Sequence, residues 1–243
     1  IMYLTKQIIY GQHTINQLPI VAKQIDIKHV CVIYSASAIK DWQQQLNGAF
    51  NDQNIEVTFY RMPKGEPTTD FLESCLQLVD NSRCDGIVAI GGGSAIDLGK
   101  AVAALALNKD VSLNELAQMP SIKRLPFIAV PTTAGTGSEA TKVTVITDSS
   151  KGIKLNPAHP DLLPDIAILD PVLTLSVPNH ITAFTGIDAL THAIEAYVST
   201  KATILSDFYA LQAVEMITAT IIKAYEEPTN LEARGQMLLA SYY

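Results

Sequence analysis

Three stretches of the sequence hold side chains whose types and spacing could do chemistry. Gly91, Gly92, Gly93 and Ser94 follow a short apolar run and precede a helical pattern. Glycines let a backbone approach a phosphate closely, and free N–H groups at a helix start attract an anion. Ser94 is placed to cap such a helix and to donate to a phosphate oxygen. Asp97, three residues on, suits a capping-box carboxylate as well as a ligand contact. The pattern is not the G-x-G-x-x-G dinucleotide fingerprint, and alone it also describes a tight turn. The second stretch is PTTAGTGSE at 131–139, directly after another apolar run. Thr132, Thr133 and Thr136 crowd hydroxyls into it, as a ligand loop or as a polar loop bonded to itself. The third is Asp188 and His192, four residues apart in a helical pattern, with Glu195 three residues further. This spacing puts carboxylate and imidazole on one helix face. There they could supply two ligands to a divalent metal, with Glu195 orienting the imidazole. By spacing alone, a surface Asp–His pair is the simpler account.

The elements that must position these residues follow from periodicity. Apolar runs at His29–Ser35, 86–90 and 126–130, and the alternating run 55–61, read as strands. Helical spacing appears at 37–49, 70–79 and 94–107. Buried strands alternating with helices predict a parallel sheet covered on both faces. Beyond Pro178 no strand pattern appears, and 180–199, 203–225 and 230–243 read as helices. The reading is therefore an α/β domain over 1–178 followed by the start of an all-helical domain over 179–243. Three such apolar helices alone would leave large faces uncovered.

Composition narrows the function classes. The chain has 243 residues, 48% hydrophobic and 17% charged, with a formal net charge of −7. That is a globular composition with one to two domains, and its acidity argues against a nucleic-acid or anionic-membrane partner. No apolar run is long enough to predict a membrane span, and no signal peptide is visible at the N-terminus. Cys31, Cys75 and Cys84 form neither a disulfide framework nor a zinc pattern, so three reduced, buried thiols in a cytoplasmic protein are expected. His159 and His180 read as surface or turn residues.

Four stretches in order, GGGSAIDLGKAVA (91–103), PTTAGTGSEAT (131–141), LLPDIAILDP (162–171) and TGIDALTHAIEAY (185–197), resemble the iron-containing, metal-dependent (group III) alcohol dehydrogenases. The resemblance implies a Rossmann-like domain that binds NAD or NADP, followed by a helical metal domain, in a dehydroquinate synthase-like architecture. It implies that Gly92, Gly93 and Ser94 hold the pyrophosphate and that Asp97 sits near the cofactor. It further implies that Thr132, Thr133 and Thr136 line the adenine and phosphate side, and that Lys154 reaches the nicotinamide ribose. Asp188 and His192 would be the first two ligands of Fe(II) or Zn(II). Many family members carry an aspartate at the position of Ser35; serine there removes a charge that repels the 2′-phosphate of NADP. The family's other two ligands are histidines much further along, so the expectation is the first part of a longer enzyme. The implied activity is interconversion of a small alcohol and its aldehyde or ketone by a cytoplasmic homodimer. The alternatives are a dehydroquinate synthase-like NAD/zinc lyase and a nucleotide-binding fragment without catalysis.

Overall fold

The computed structural model describes residues 3–35 and 42–243. The first part of the expected 37–49 helix, including Ile39, lies outside the described residues. Along the chain run β1 (Gln7–Tyr10), α1 (Leu18–Gln24), β2 (His29–Ser35), α2 (Gln43–Asn51), β3 (Glu56–Met62), α3 (Thr69–Ser82), β4 (Gly86–Gly91) and α4 (Gly93–Leu105). Then come α5 (Leu113–Leu116), β5 (Phe127–Pro131), β6 (Ile146–Asp148), β7 (Ile153–Leu155), β8 (Ile166–Leu169), α6 (Asn179–Val198), α7 (Ile204–Glu226) and α8 (Leu231–Tyr242). The chain forms two compact units. One comprises Ile1–Ile9, Ile15–Pro131 and Ser138–Ile168; the other comprises Tyr10–Thr14, Thr132–Gly137 and Leu169–Tyr243. The boundary read from composition, at 178–179, falls inside the second unit.

The first unit is built on a six-stranded sheet in the order β1-β8-β5-β4-β2-β3. The pairs β3–β2, β2–β4, β4–β5 and β5–β8 are parallel. Every residue of β4, β5 and β8 is buried, as expected of strands covered on both faces. Helix α4 is buried along nearly its whole length, which explains why its sequence is apolar on all sides. The chain passes from β2 outward to β3 and then back across to β4. The order of the sheet therefore reverses between β2 and β4, and ligands bind beyond the carboxyl ends of strands at such a switch point.

The second unit packs α6, α7 and α8 through Ala189, Ala193, Ala213, Ala224, Ala233 and Ala240, with Ile217 and Met237. Small side chains let the helices lie close together. Thr203 caps α7 and Asn230 caps α8, each accepting a backbone N–H of the first turn. The expected uncovered faces are present: Phe184, Val198, Ile204 and Phe208 are all exposed.

Among the described residues the periodicity missed four strands and two α-helices, all short. β1 is an exposed edge strand, and β6 and β7 are three-residue strands of an antiparallel ribbon. Such lengths carry no readable period. The expected thiols are present: Cys31, Cys75 and Cys84 are free and buried.

Candidate active site residues

In the first unit the chemistry gathers at the switch point. Ser35 ends β2 and Gly91 ends β4, one residue beyond the paired Tyr34 and Ile90. A Cβ on Gly91 would stand 2.7 Å from the Ala95 methyl and 3.1 Å from the Ser35 hydroxyl. Only glycine lets the strand turn so closely into α4. Gly92, in extended conformation, is the residue preceding α4, and no side chain caps the helix. Ser94 lies in the first turn and is not the cap, a correction to the sequence reading. The leading N–H groups of α4 are those that a helix cannot satisfy internally, and their dipole favours an anion.

Asp97 lies beyond the first turn, so it is not a capping-box carboxylate either. Its Oδ2 accepts the Val145 N–H at 3.1 Å, and its carbonyl accepts the Thr144 hydroxyl at 2.7 Å. Its Oδ1 is buried without a hydrogen-bond partner. One turn on, the buried Lys100 Nζ donates to Thr141 Oγ1 at 2.9 Å and to the Val143 carbonyl at 2.6 Å. It stands 3.7 Å from Asp97 Oδ1. Glu139 is buried as well, and its Oε1 also lacks a partner. Burial pushes the Glu139 carboxyl up to about 7 and the Lys100 ammonium down to about 8. Burial likewise raises Asp97, against the pull of Lys100. Sequence reasoning passed over Lys100 and Glu139. The signal was the charged pair at i, i+3 inside an apolar helix, where a lysine needs partners.

Lys154 lies exposed on β7 and pairs with Glu66 at 2.7 Å. His159 is buried at the turn that opens the 3-10 helix Pro160–Leu162, so of its reading as a surface or turn residue the turn holds and the surface position is corrected. Its Nδ1 accepts the Asp161 N–H at 3.1 Å and its Nε2 donates to the Met119 carbonyl at 3.0 Å. That pairing gives the ring a structural role.

In the second unit, Thr132 is buried, Thr133 half-buried and Thr136 exposed. Two glycines of this loop are required by packing. A Cβ on Gly135 would stand 2.6 Å from Thr185 Cβ, and Gly137 has a positive φ of 60° with the Ser241 carbonyl 2.8 Å from its missing Cβ. Asp188 and His192 do share one face of α6, with Oδ1 and Nε2 3.7 Å apart and both side chains about half exposed. Hard oxygen and borderline nitrogen suit Fe(II) or Zn(II), so the pair fits as two ligands of a larger set. Among the described residues no group of three or more His, Cys, Asp or Glu side chains could hold a metal.

The start of α4 at a switch point, with no side-chain cap, and the half-exposed Asp188–His192 pair are the two arrangements that point to a family. Comparison with known proteins makes it specific. The model of iron-containing alcohol dehydrogenases matches residues 5–171, and that of the C-terminal part of the Fe-containing alcohol dehydrogenase family matches 182–243. The chain belongs to the iron-containing alcohol dehydrogenase family. It is 50% identical over 191 residues to the probable alcohol dehydrogenase EutG of Escherichia coli, covering 78% of this chain and 48% of that protein. It overlays a solved 1,3-propanediol oxidoreductase with a TM-score of 0.94 at 30% identity, covering 100% of this chain and 64% of that one. A sulfoacetaldehyde reductase from Bifidobacterium kashiwanohense, solved in complex with NAD+, matches with a TM-score of 0.90 at 31% identity, covering 100% and 65%. The chain thus spans about half the length of its EutG relative.

Proposed function

We propose that this chain carries the dinucleotide-binding part and the first two metal ligands of an oxidoreductase that interconverts a small alcohol and its aldehyde or ketone. The observation that carries this is the uncapped start of α4 at the switch point, in a chain that matches the family over most of its length. The N–H groups of Gly93 and Ser94, with Gly92 before them, hold the pyrophosphate of a nicotinamide dinucleotide. Asp97, further along α4, sits near the same ligand without touching it, its carboxylate held by the Val145 N–H. Thr132, Thr133 and Thr136 supply hydroxyls for its adenine and phosphate side. Lys154 reaches the nicotinamide ribose by leaving Glu66, an exposed pair that is cheap to open. Ser35 places no negative charge at the end of β2, so NADP(H) is accepted beside NAD(H).

Asp188 and His192 hold the divalent ion, for which Fe(II) is proposed and Zn(II) is chemically equivalent in ligand preference. When bound, the metal supplies Lewis acidity that stabilises negative charge on the substrate oxygen. The chain's own residues do the rest: they fix the cofactor's orientation and hold the metal at a defined helix face. Substrates are sought among short alcohols, given that relatives are named for alcohol, propanediol and sulfoacetaldehyde chemistry. A cytoplasmic site is in keeping with three free thiols, and a homodimer follows the family resemblance. The test is oxidation of a panel of short alcohols with NAD+, followed through the reduced cofactor. The expected result is turnover abolished by a chelator and restored by Fe(II). Turnover insensitive to a chelator would contradict the metal reading.

A further inference from the structure

The group Asp97, Lys100 and Glu139 is a sealed cluster of two acids and one base that the proposed reaction does not use directly. All three residues are buried, with exposures of 8%, 1% and 1%. Both carboxylates keep an oxygen without a hydrogen-bond partner. The ammonium, by contrast, is bound on the 141–143 segment through Thr141 and Val143. The same segment is tied to Asp97 through Thr144 and Val145. Four hydrogen bonds therefore fasten 141–145 to two turns of α4, and Lys100 makes two of them. The Ser138 hydroxyl also bonds the Asp97 carboxylate. The charges acting on Lys100 are those of Asp97 and Glu139; of the elements packed against α4, the turn Ser138–Ala140 brings Glu139, while α3, β2, β4, β5, α5 and the turn Pro160–Leu162 bring no further charge to bear on it. An unpaired buried charge is costly. Two acids sharing one base cannot both stay ionised cheaply, and losing the base's proton leaves the cluster without its cation.

We propose that Lys100 is a positioning residue of the dinucleotide site: its ammonium fastens the 141–145 segment to α4 and balances Asp97 and Glu139, so that loss of its proton weakens dinucleotide binding. This rests on the reading of the β4–α4 turn as that site. Seven residues separate Gly93 from Lys100, about 10 Å along the helix at 1.5 Å per residue. At that distance a bound pyrophosphate also favours the charged lysine. Cofactor binding and protonation of Lys100 are thus linked.

The test is the dissociation constant of NADH, measured by its fluorescence from about pH 6.5 to about pH 9.5, a range in which the dinucleotide itself does not titrate. On the acid side, where Lys100 keeps its proton, binding is expected to change little, with only a minor step where Glu139 titrates at about 7. It should weaken by about tenfold, the linkage of one pKa unit, in a transition that begins at about 8 and has its midpoint about half a unit higher. Glu139→Gln removes an acid that favours the ammonium, so its midpoint should move to lower pH. Lys100→Met should bind weakly at every pH, with the midpoint gone. Should that variant fail to fold, the wild-type and Glu139→Gln profiles decide the matter. A wild-type profile that is flat, or a midpoint unmoved in Glu139→Gln, overturns the role of Lys100 and leaves the dinucleotide site standing. Folded protein that binds no NADH at any pH overturns both.

Discussion

At the end of β2, Ser35 stands beside Gly91, and in the proposed dinucleotide site its hydroxyl takes the place of a carboxylate that would repel a 2′-phosphate. Ser35→Asp should therefore lower affinity for NADPH by about tenfold or more, the effect of a close like charge of about 1.4 kcal/mol. NADH affinity should hold or improve. Parallel titrations with the two cofactors check this, and equal losses would place Ser35 outside the ribose site. His192 offers a second residue-scale test. Replacing it with Ala leaves Asp188 alone on its face of α6. Affinity for metal, read as the metal content kept after dialysis, should then fall by more than the 10–100-fold typical of losing a supporting residue. Unchanged metal content would show that the pair is only the surface pair that its 3.7 Å separation also permits.

At the scale of elements, the loop 132–137 combines two demands. Its threonines are candidates for ligand contact, while Gly135 and Gly137 are fixed by close packing on Thr185 and Ser241. Gly137→Ala meets both a left-handed backbone and a carbonyl at 2.8 Å. It should destabilise the protein by about 1–3 kcal/mol, read as a lowered Tm. The sequence could show that this loop was unusual, but it could not divide its residues between packing and ligand. The long elements were legible because burial imposes a period: β2 was read at its observed ends, and α6, α7 and α8 to within one residue or so. The cap of α4 was misread because Ser is the commoner capping residue, whereas here Gly92 takes the cap position and no side chain caps the helix. The burial of His159 was missed because its partner Met119, 40 residues away, meets it only in the folded chain. Lys100 was overlooked for the same reason.

For the whole molecule, charges buried in the first unit set the response of stability to pH. Burial would raise Asp165, yet Arg124, Lys6 and the Phe127 N–H hold its carboxyl below the usual range. A depressed acid contributes stability above its unfolded pKa of about 4 that is lost as pH falls through the folded value. Glu139 has the opposite sign. Its folded pKa is raised to about 7, so the folded state holds an extra proton and stability declines as pH rises from about 4.3 toward that value. Glutamine imitates the protonated acid. Glu139→Gln should thus match the wild-type Tm near about pH 4 and exceed it at about pH 8. Identical Tm profiles would mean that water or rearrangement already pays for the buried charge.

The central claim is that the start of α4 holds a dinucleotide pyrophosphate, and Gly92→Asp tests it most directly. Gly92 precedes α4 with φ −75° and ψ −174°, a conformation open to any residue. Aspartate is favoured at a helix N-cap, so the fold should be as stable as before or slightly more so, by a few tenths of a kcal/mol. The new carboxylate would occupy the N–H groups meant for the phosphate and repel it. Paired measurement of Tm and of the NADH dissociation constant should therefore show an unchanged or higher Tm with binding weakened by about 100-fold, about 2.7 kcal/mol. NADH bound as tightly as by the wild type, at the same Tm, would contradict the claim.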